Sequence, residues 1–194
     1  MDGTLTVAVH DFDAIRRALG VPPREPILEW IEAQPVEQAA SLYARLDELE
    51  MPYAAKAQAQ RGAPELLETL VARGASLGIV TRNSVAIAHE TLRHCGLDSF
   101  FGFAEVIGRE SAPPKPSPDG LNQLLDRWGA SGSEAVMVGD YVFDLEAGDR
   151  AGCATVYYDP LASGQWRTRA HHWVRSHGEL LELAGGSMTR AGFE

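Results

Sequence analysis

The sequence predicts an α/β fold: a Rossmann-like parallel sheet with a small helical cap inserted after the first motif. From residue 64 onward, short apolar runs alternate with segments of helical periodicity, the pattern of parallel strands joined by helical crossovers. Residues 10–60 show helical periodicity without strand-like runs. A length of 194 residues with 45% hydrophobic residues suits one core with a small insert. We therefore expect residues 1–9 and 61–194 to form the core and residues 10–60 the cap.

The cap segment is predicted to be a set of short amphipathic helices. Its apolar residues recur at helical spacing, and they are Phe12, Ile15 and Leu19, then Ile27, Leu28 and Ile31, then Leu42, Leu46 and Leu49. Prolines are expected to break the helices at Pro22-Pro23, at Pro35 and at Pro52.

The core segment is predicted to contain five helices and five strands. The strands are expected at 75–81, 103–107, 135–138, 154–158 and 172–174, where apolar or β-branched residues cluster. The helices are expected at 64–73, 84–94, 117–128, 144–151 and 179–184. Gly74 and Gly96 are the predicted stop signals of the first two helices. The tail after Gly185 is expected to fray.

Acidic and hydroxyl side chains follow two of the predicted strands. Thr81 ends one strand, and Asp140 follows another, with Asp144 four residues further on. Because parallel α/β sheets bind ligands at the carboxyl ends of their strands, we expect Thr81 and Asp140 to share one site. Two carboxylates so placed suit Mg²⁺, which binds few protein oxygens and keeps several waters. Taken alone, the same acids also fit an N-cap aspartate beside a solvated carboxylate.

Two further segments offer groups for an anion. Lys115 lies in a proline-rich loop, where its ammonium could meet a phosphoryl oxygen. Thr81 is followed by Arg82 and Asn83 at a predicted helix start, where a hydroxyl and free N–H groups can bind phosphate. The alternatives are a solvated loop lysine, an ordinary helix-capping turn and a solvent-facing arginine.

Composition limits the class of partner. The net charge is −10, from 17 basic and 27 acidic residues, and there is no basic run, which argues against nucleic acid or an anionic membrane as the partner. No apolar run approaches the roughly 20 residues of a membrane span. Only two cysteines are present, Cys95 and Cys153, which fits a reducing compartment. We expect a cytoplasmic protein; the sequence does not indicate its oligomeric state.

Four segments together resemble the haloacid dehalogenase superfamily. In chain order they are Asp2-Gly3-Thr4, Thr81-Arg82-Asn83, Lys115-Pro116-Ser117-Pro118 and Gly139-Asp140 with Asp144. The resemblance covers nearly the whole chain, and the helical insert looks like the cap of the phosphoglycolate-phosphatase-like branch. It implies a Mg²⁺-dependent phosphatase that acts on a small phosphorylated metabolite through an aspartyl-phosphate.

The resemblance also implies roles for single residues. Asp2 matches the aspartate that protonates the leaving group and later activates water, and Gly3 and Thr4 follow it in the phosphate-binding turn. Thr81 matches the hydroxyl that binds phosphate, with Arg82 and Asn83 beside it, and Lys115 matches the charge-stabilising lysine. The implied metal ligands are Asp2, Asp140 and Asp144.

The nucleophilic aspartate of the family motif would immediately precede Met1. We therefore expect the chain as written to be inactive, and we expect its start to have been assigned too far downstream, after the strand that leads to the nucleophile. Two alternatives stay open: a non-catalytic member of the family that binds a metabolite or protein, and a sugar-phosphate mutase.

Overall fold

A computed structural model gives the structure of residues 1–185; the tail for which fraying is predicted lies outside these described residues. The helices are α1 Phe12–Leu19, α2 Ile27–Glu32, α3 Val36–Ala54, α4 Ala63–Ala72, α5 Val85–His94, α6 Asp119–Trp128, α7 Val142–Arg150 and α8 His177–Gly185. The strands are β1 Ile79–Val80, β2 Val106–Ile107, β3 Val136–Gly139, β4 Ala154–Tyr158 and β5 His172–Val174. None of the helices in this part of the chain is long and apolar enough to cross a bilayer.

The predicted α/β class with parallel strands is confirmed. β1 pairs with β2, and β4 lies between β3 and β5, all in parallel. α5 connects β1 to β2 and α7 connects β3 to β4, whereas a loop with a short 3₁₀ turn connects β4 to β5. β4 is buried along its whole length, so the three-stranded sheet has helices or loops on both faces.

The strands form two separate sheets rather than the one continuous sheet that the alternation suggests. A cavity of about 610 Å³ lies between them and is lined by residues of both β1 and β3. Its walls are largely apolar and include Ile79, Val80, Leu124, Val136 and Val138. The edges of β1 and β3 that face the cavity therefore have no hydrogen-bonded neighbour strand among residues 1–185.

The first two strands are shorter than predicted. β1 contains only Ile79–Val80 of the expected 75–81, and residues 103–105 form a 3₁₀ turn ahead of β2. A strand persists only where a neighbour completes its backbone hydrogen bonds, and the two strands pair through two residues each.

The predicted helix break at Pro52 was wrong, because α3 continues to Ala54. Pro52 lies in the last turn and its ring is exposed, so the missing N–H removes a single hydrogen bond close to the helix end. The breaks at Pro22-Pro23 and Pro35 coincide with the ends of helices.

The helices α1 to α3 share a hydrophobic cluster of their own. Its buried members are Ile15, Leu19, Val21, Leu28, Ile31 and Leu46. Asp11 caps α1 by accepting a hydrogen bond from the N–H of Ala14. α3 also packs along α5 of the core, which brings the helical segment against the carboxyl ends of β1 and β2. The boundaries of the cap as a domain stay a prediction.

Candidate functional site

The N-terminal turn lies against the loop that follows β3. The Thr4 hydroxyl donates to Oδ1 of Asp140 over 2.8 Å. Gly3 has a φ of +79°, and a Cβ at this position would lie 2.2 Å from Oδ2 of Asp140. Only glycine therefore fits between the turn and the Asp140 carboxylate.

The loop after β1 holds the carboxylate of Asp2. The Asn83 amide donates to Oδ2 of Asp2 over 2.8 Å, and the Thr6 hydroxyl donates to Oδ1 over 3.2 Å. The hydroxyl of Thr81 accepts the N–H of Asn83 over 3.1 Å, and both residues are buried. Hydrogen bonds to both oxygens fix the orientation of the Asp2 carboxylate.

Lys115 and Asp144 form a buried ion pair. The Nζ of Lys115 lies 2.7 Å from Oδ1 of Asp144 and also donates to the carbonyl of Val80. The N–H of Tyr141 donates to Oδ2 of Asp144 over 3.0 Å, which caps α7 two residues earlier than the sequence predicts. Burial alone would raise the pKa of Asp144, but the ammonium of Lys115, the α-ammonium of Met1 and the N–H of Tyr141 outweigh it and hold this pKa below its usual value.

The pKa of Asp140 is shifted in the opposite direction. Burial and the neighbouring Asp144 carboxylate raise the pKa of Asp140, although the α-ammonium of Met1 and the Thr4 hydroxyl oppose the rise. A cation beside Asp140 would relieve this repulsion. Within residues 1–185 no three acidic, histidine or cysteine side chains converge on one point. Mg²⁺ needs only one or two carboxylates and keeps its remaining waters, so Asp140 with Asp144 behind it fits the ion, while a direct bond from Asp2 stays a prediction.

Arg82 is held between the core and the cap. Its Nη2 lies 2.9 and 2.7 Å from the two carboxylate oxygens of Glu29 in α2, and its Nη1 donates to the carbonyl of Lys115. The guanidinium also lies 5.1 Å from the ring centroid of Phe143. The sequence was compatible with two environments for Arg82, solvent or a substrate anion. In the structure its partner is the Glu29 carboxylate.

A second cap-to-core contact was missed by the sequence reasoning. The buried side chain of Arg109 donates to Asp47 and, over 2.9 Å, to Glu50 of α3. The same guanidinium donates to the carbonyl of Arg82. The sequence does indicate that Glu50 is buried, because Glu50 follows Leu46 by one helical turn and so lies on the apolar face of α3.

We predict that Glu50 makes the free energy of unfolding depend on pH. Burial raises the pKa of Glu50 to about 7, although Arg109 opposes the rise and Asp47 adds to it. The unfolded chain ionises Glu50 near its ordinary pKa of 4.5, so the stability present below that pH is lost as the pH rises towards 7. The loss is about 3 kcal/mol.

Glu50→Gln, which keeps an acceptor for Arg109, should remove this part of the decline. The measurement is urea unfolding of both proteins between pH 4.5 and 8, and the variant should gain on the wild type as the pH rises. Glu48→Gln on the exposed face of the same helix is the control. Parallel profiles for wild type and Glu50→Gln would contradict the prediction.

The structure is an α/β fold of parallel strands with the helical segment α1 to α3 packed against it, and comparison with known proteins gives the family. The family described as haloacid dehalogenase-like hydrolase matches residues 7–158, and the chain belongs to it. The chain is 31% identical over 172 residues to the pyrophosphatase PpaX of Bacillus velezensis, covering 84% of this chain and 76% of that protein. It is 38% identical over 90 residues to a phosphoglycolate phosphatase of Aliivibrio fischeri, covering 46% of this chain and 39% of that protein.

The fold of this chain also resembles that of solved structures. A hydrolase from Pseudomonas syringae superposes with a TM-score of 0.75 at 23% identity, covering 95% of this chain and 94% of that chain. Together with the family and the two relatives above, this confirms the resemblance to the phosphoglycolate-phosphatase-like branch of the superfamily. The protein is a hydrolase by lineage.

Proposed function

We propose that the protein is a Mg²⁺-dependent phosphatase that hydrolyses a small phosphorylated metabolite through an aspartyl-phosphate. The observation that carries the proposal is the meeting of three segments, Asp2–Thr4, Thr81–Asn83 and the loop at Asp140, around the buried Lys115–Asp144 pair. The similarity to a pyrophosphatase and a phosphoglycolate phosphatase supports phosphoryl transfer to water.

Each side chain has a task that its contacts support. The Thr81 hydroxyl and the Lys115 ammonium bind oxygens of the phosphoryl group and stabilise the charge that develops there. Asp140 and Asp144 would hold Mg²⁺, which would supply positive charge to neutralise the phosphate. Asp2 donates a proton to the leaving group and then takes one from water, and Asn83 keeps its carboxylate in position for both transfers.

We further propose that the attacking carboxylate belongs to the residue two positions before Asp2, at the end of an apolar strand. The cavity between β1 and β3 supports this, because one additional strand there would pair with both edges and bury the apolar walls. Residues 1–194 alone would then bind phosphate without hydrolysing its esters, since covalent catalysis requires an attacking atom in line with phosphorus.

The experiment compares residues 1–194 with the same chain extended by the residues encoded in frame upstream. We expect the extended chain to release phosphate from an aryl phosphate only when Mg²⁺ is present, and residues 1–194 to be folded and inactive. Turnover by residues 1–194 would contradict the assignment of the nucleophile. An extended chain that releases no phosphate from aryl, sugar and nucleoside phosphates would contradict the phosphatase, and isomerisation of a sugar phosphate would identify a mutase instead.

A further inference from the structure

We propose that Glu29 makes this site select phosphate esters whose leaving group is uncharged and disfavour substrates that carry a second anionic group. The inference rests on the proposed function, because it assumes that phosphate binds beside Thr81 and Lys115. It concerns the pairing of Glu29, on the cap, with Arg82, the residue that follows Thr81 in the phosphate loop.

Arg82 lies next to the residues that would bind the phosphoryl group. Its Nη1 donates to the carbonyl of Lys115, and its guanidinium lies against Phe143, which immediately precedes Asp144. A second anionic group on a substrate would be attracted to this guanidinium. The Glu29 carboxylate already occupies this position, because both of its oxygens lie within 2.9 Å of Nη2 of Arg82.

The Glu29 carboxylate is ionised at neutral pH. Its partial burial would raise its pKa, but the hydrogen bonds and charge of Arg82 outweigh that effect and leave the pKa of Glu29 below its usual value. The side chains of Arg82 and Glu29 keep 25% and 40% exposure, so a bound ligand can reach both. A substrate carboxylate or second phosphate would meet a negative charge at this point.

The other two basic side chains of the site are also paired with acids. Arg109 is enclosed by Asp47 and Glu50, and Lys115 is bonded to Asp144. A second anionic group that binds Arg82 would therefore have to displace Glu29 and leave its carboxylate without a cation. Repulsion of this kind excludes a competing ligand as effectively as an added attraction favours the correct one.

The neighbouring surface fits an uncharged leaving group. Tyr141 is half exposed, and its ring lies 5.1 Å from that of Phe143 and 5.7 Å from that of Trp166, both edge-on. These rings offer apolar contact beside the guanidinium, and the oxygens of Glu29 can accept hydrogen bonds from hydroxyl groups. The favoured class is a phosphate ester of a hydroxylated or aromatic alcohol without other charges.

The test compares the binding of two ligands by calorimetry with Mg²⁺ in excess. They are 2-phosphoglycolate and its amide, in which an uncharged carboxamide replaces the carboxylate and the phosphate is unchanged. Binding needs no turnover, so residues 1–194 can be used. We expect the wild type to bind the amide more tightly than the carboxylate. Glu29→Gln should tighten binding of 2-phosphoglycolate by about tenfold, with affinities for the amide and for inorganic phosphate within about twofold of the wild type.

The control is Glu32→Gln, an exposed acid of the same helix, which should leave all three affinities unchanged. In Glu29→Gln combined with Arg82→Gln the gain for 2-phosphoglycolate should disappear, because the gain depends on the released guanidinium. An unchanged preference in Glu29→Gln, with inorganic phosphate still bound, would overturn this inference alone. Failure of every variant to bind inorganic phosphate would overturn the proposed function as well.

Discussion

Replacing Lys115 with methionine is expected to lower the free energy of unfolding by about 3–5 kcal/mol. The substitution leaves the carboxylate of Asp144 buried without the ammonium of Lys115, and within residues 1–185 the N–H of Tyr141 is its remaining hydrogen-bond donor. It also removes the hydrogen bond to the carbonyl of Val80, at the end of β1. Urea unfolding at pH 7 measures the loss, and phosphate binding should disappear in the same variant.

The loss should be largely recovered when the acid is neutralised too. In Lys115→Met combined with Asp144→Asn, the amide oxygen still accepts the N–H of Tyr141 and no buried charge remains. Lys56→Met, at an exposed turn, is the control and should change stability by less than about 0.5 kcal/mol. A Lys115→Met protein within about 1 kcal/mol of the wild type would show that water reaches the pair and screens it.

The local parts of this site could be predicted from the sequence, because they depend on position relative to a strand end. An apolar run followed by a polar residue places Thr81 and Asp140 at the carboxyl ends of β1 and β3, and the structure puts both there. The contact between Gly3 and Asp140 needs the tertiary structure, since 137 positions separate the two residues in the numbering (140 − 3).

The pairing of charges could not be predicted. Local sequence identifies Arg82 as a loop residue beside a helix start, but its partner Glu29 lies 53 positions away on a different helix. Arg109 and its two acids are equally remote from each other in the chain. Apolar runs likewise indicate strands without indicating which neighbours they pair with, so the order of the strands within the two sheets could not be predicted.

Replacing Asp140 with asparagine is expected to remove the response of the protein to Mg²⁺ without destabilising the metal-free chain. Burial and the Asp144 carboxylate raise the pKa of Asp140, so its ionised form lowers stability as the pH rises above the unfolded value, and the amide relieves this. Asn at this position still accepts the Thr4 hydroxyl. In a turnover-competent chain, Mg²⁺-dependent phosphate release should fall by about 10²–10³-fold.

Thermal unfolding with and without Mg²⁺ separates this role from a structural one. At a concentration 100 times its Kd, Mg²⁺ should stabilise the wild type by about 2.7 kcal/mol, whereas Asp140→Asn should show no change. Asp126→Asn, an exposed acid on α6, controls for the general effect of removing one negative charge. A purely structural aspartate would lose stability in the metal-free state on substitution, and an Asp140→Asn protein that still responds to Mg²⁺ would move the ion to other carboxylates. Equal or greater metal-free stability combined with loss of the Mg²⁺ response is the result expected if Asp140 binds the cation and does not stabilise the metal-free fold.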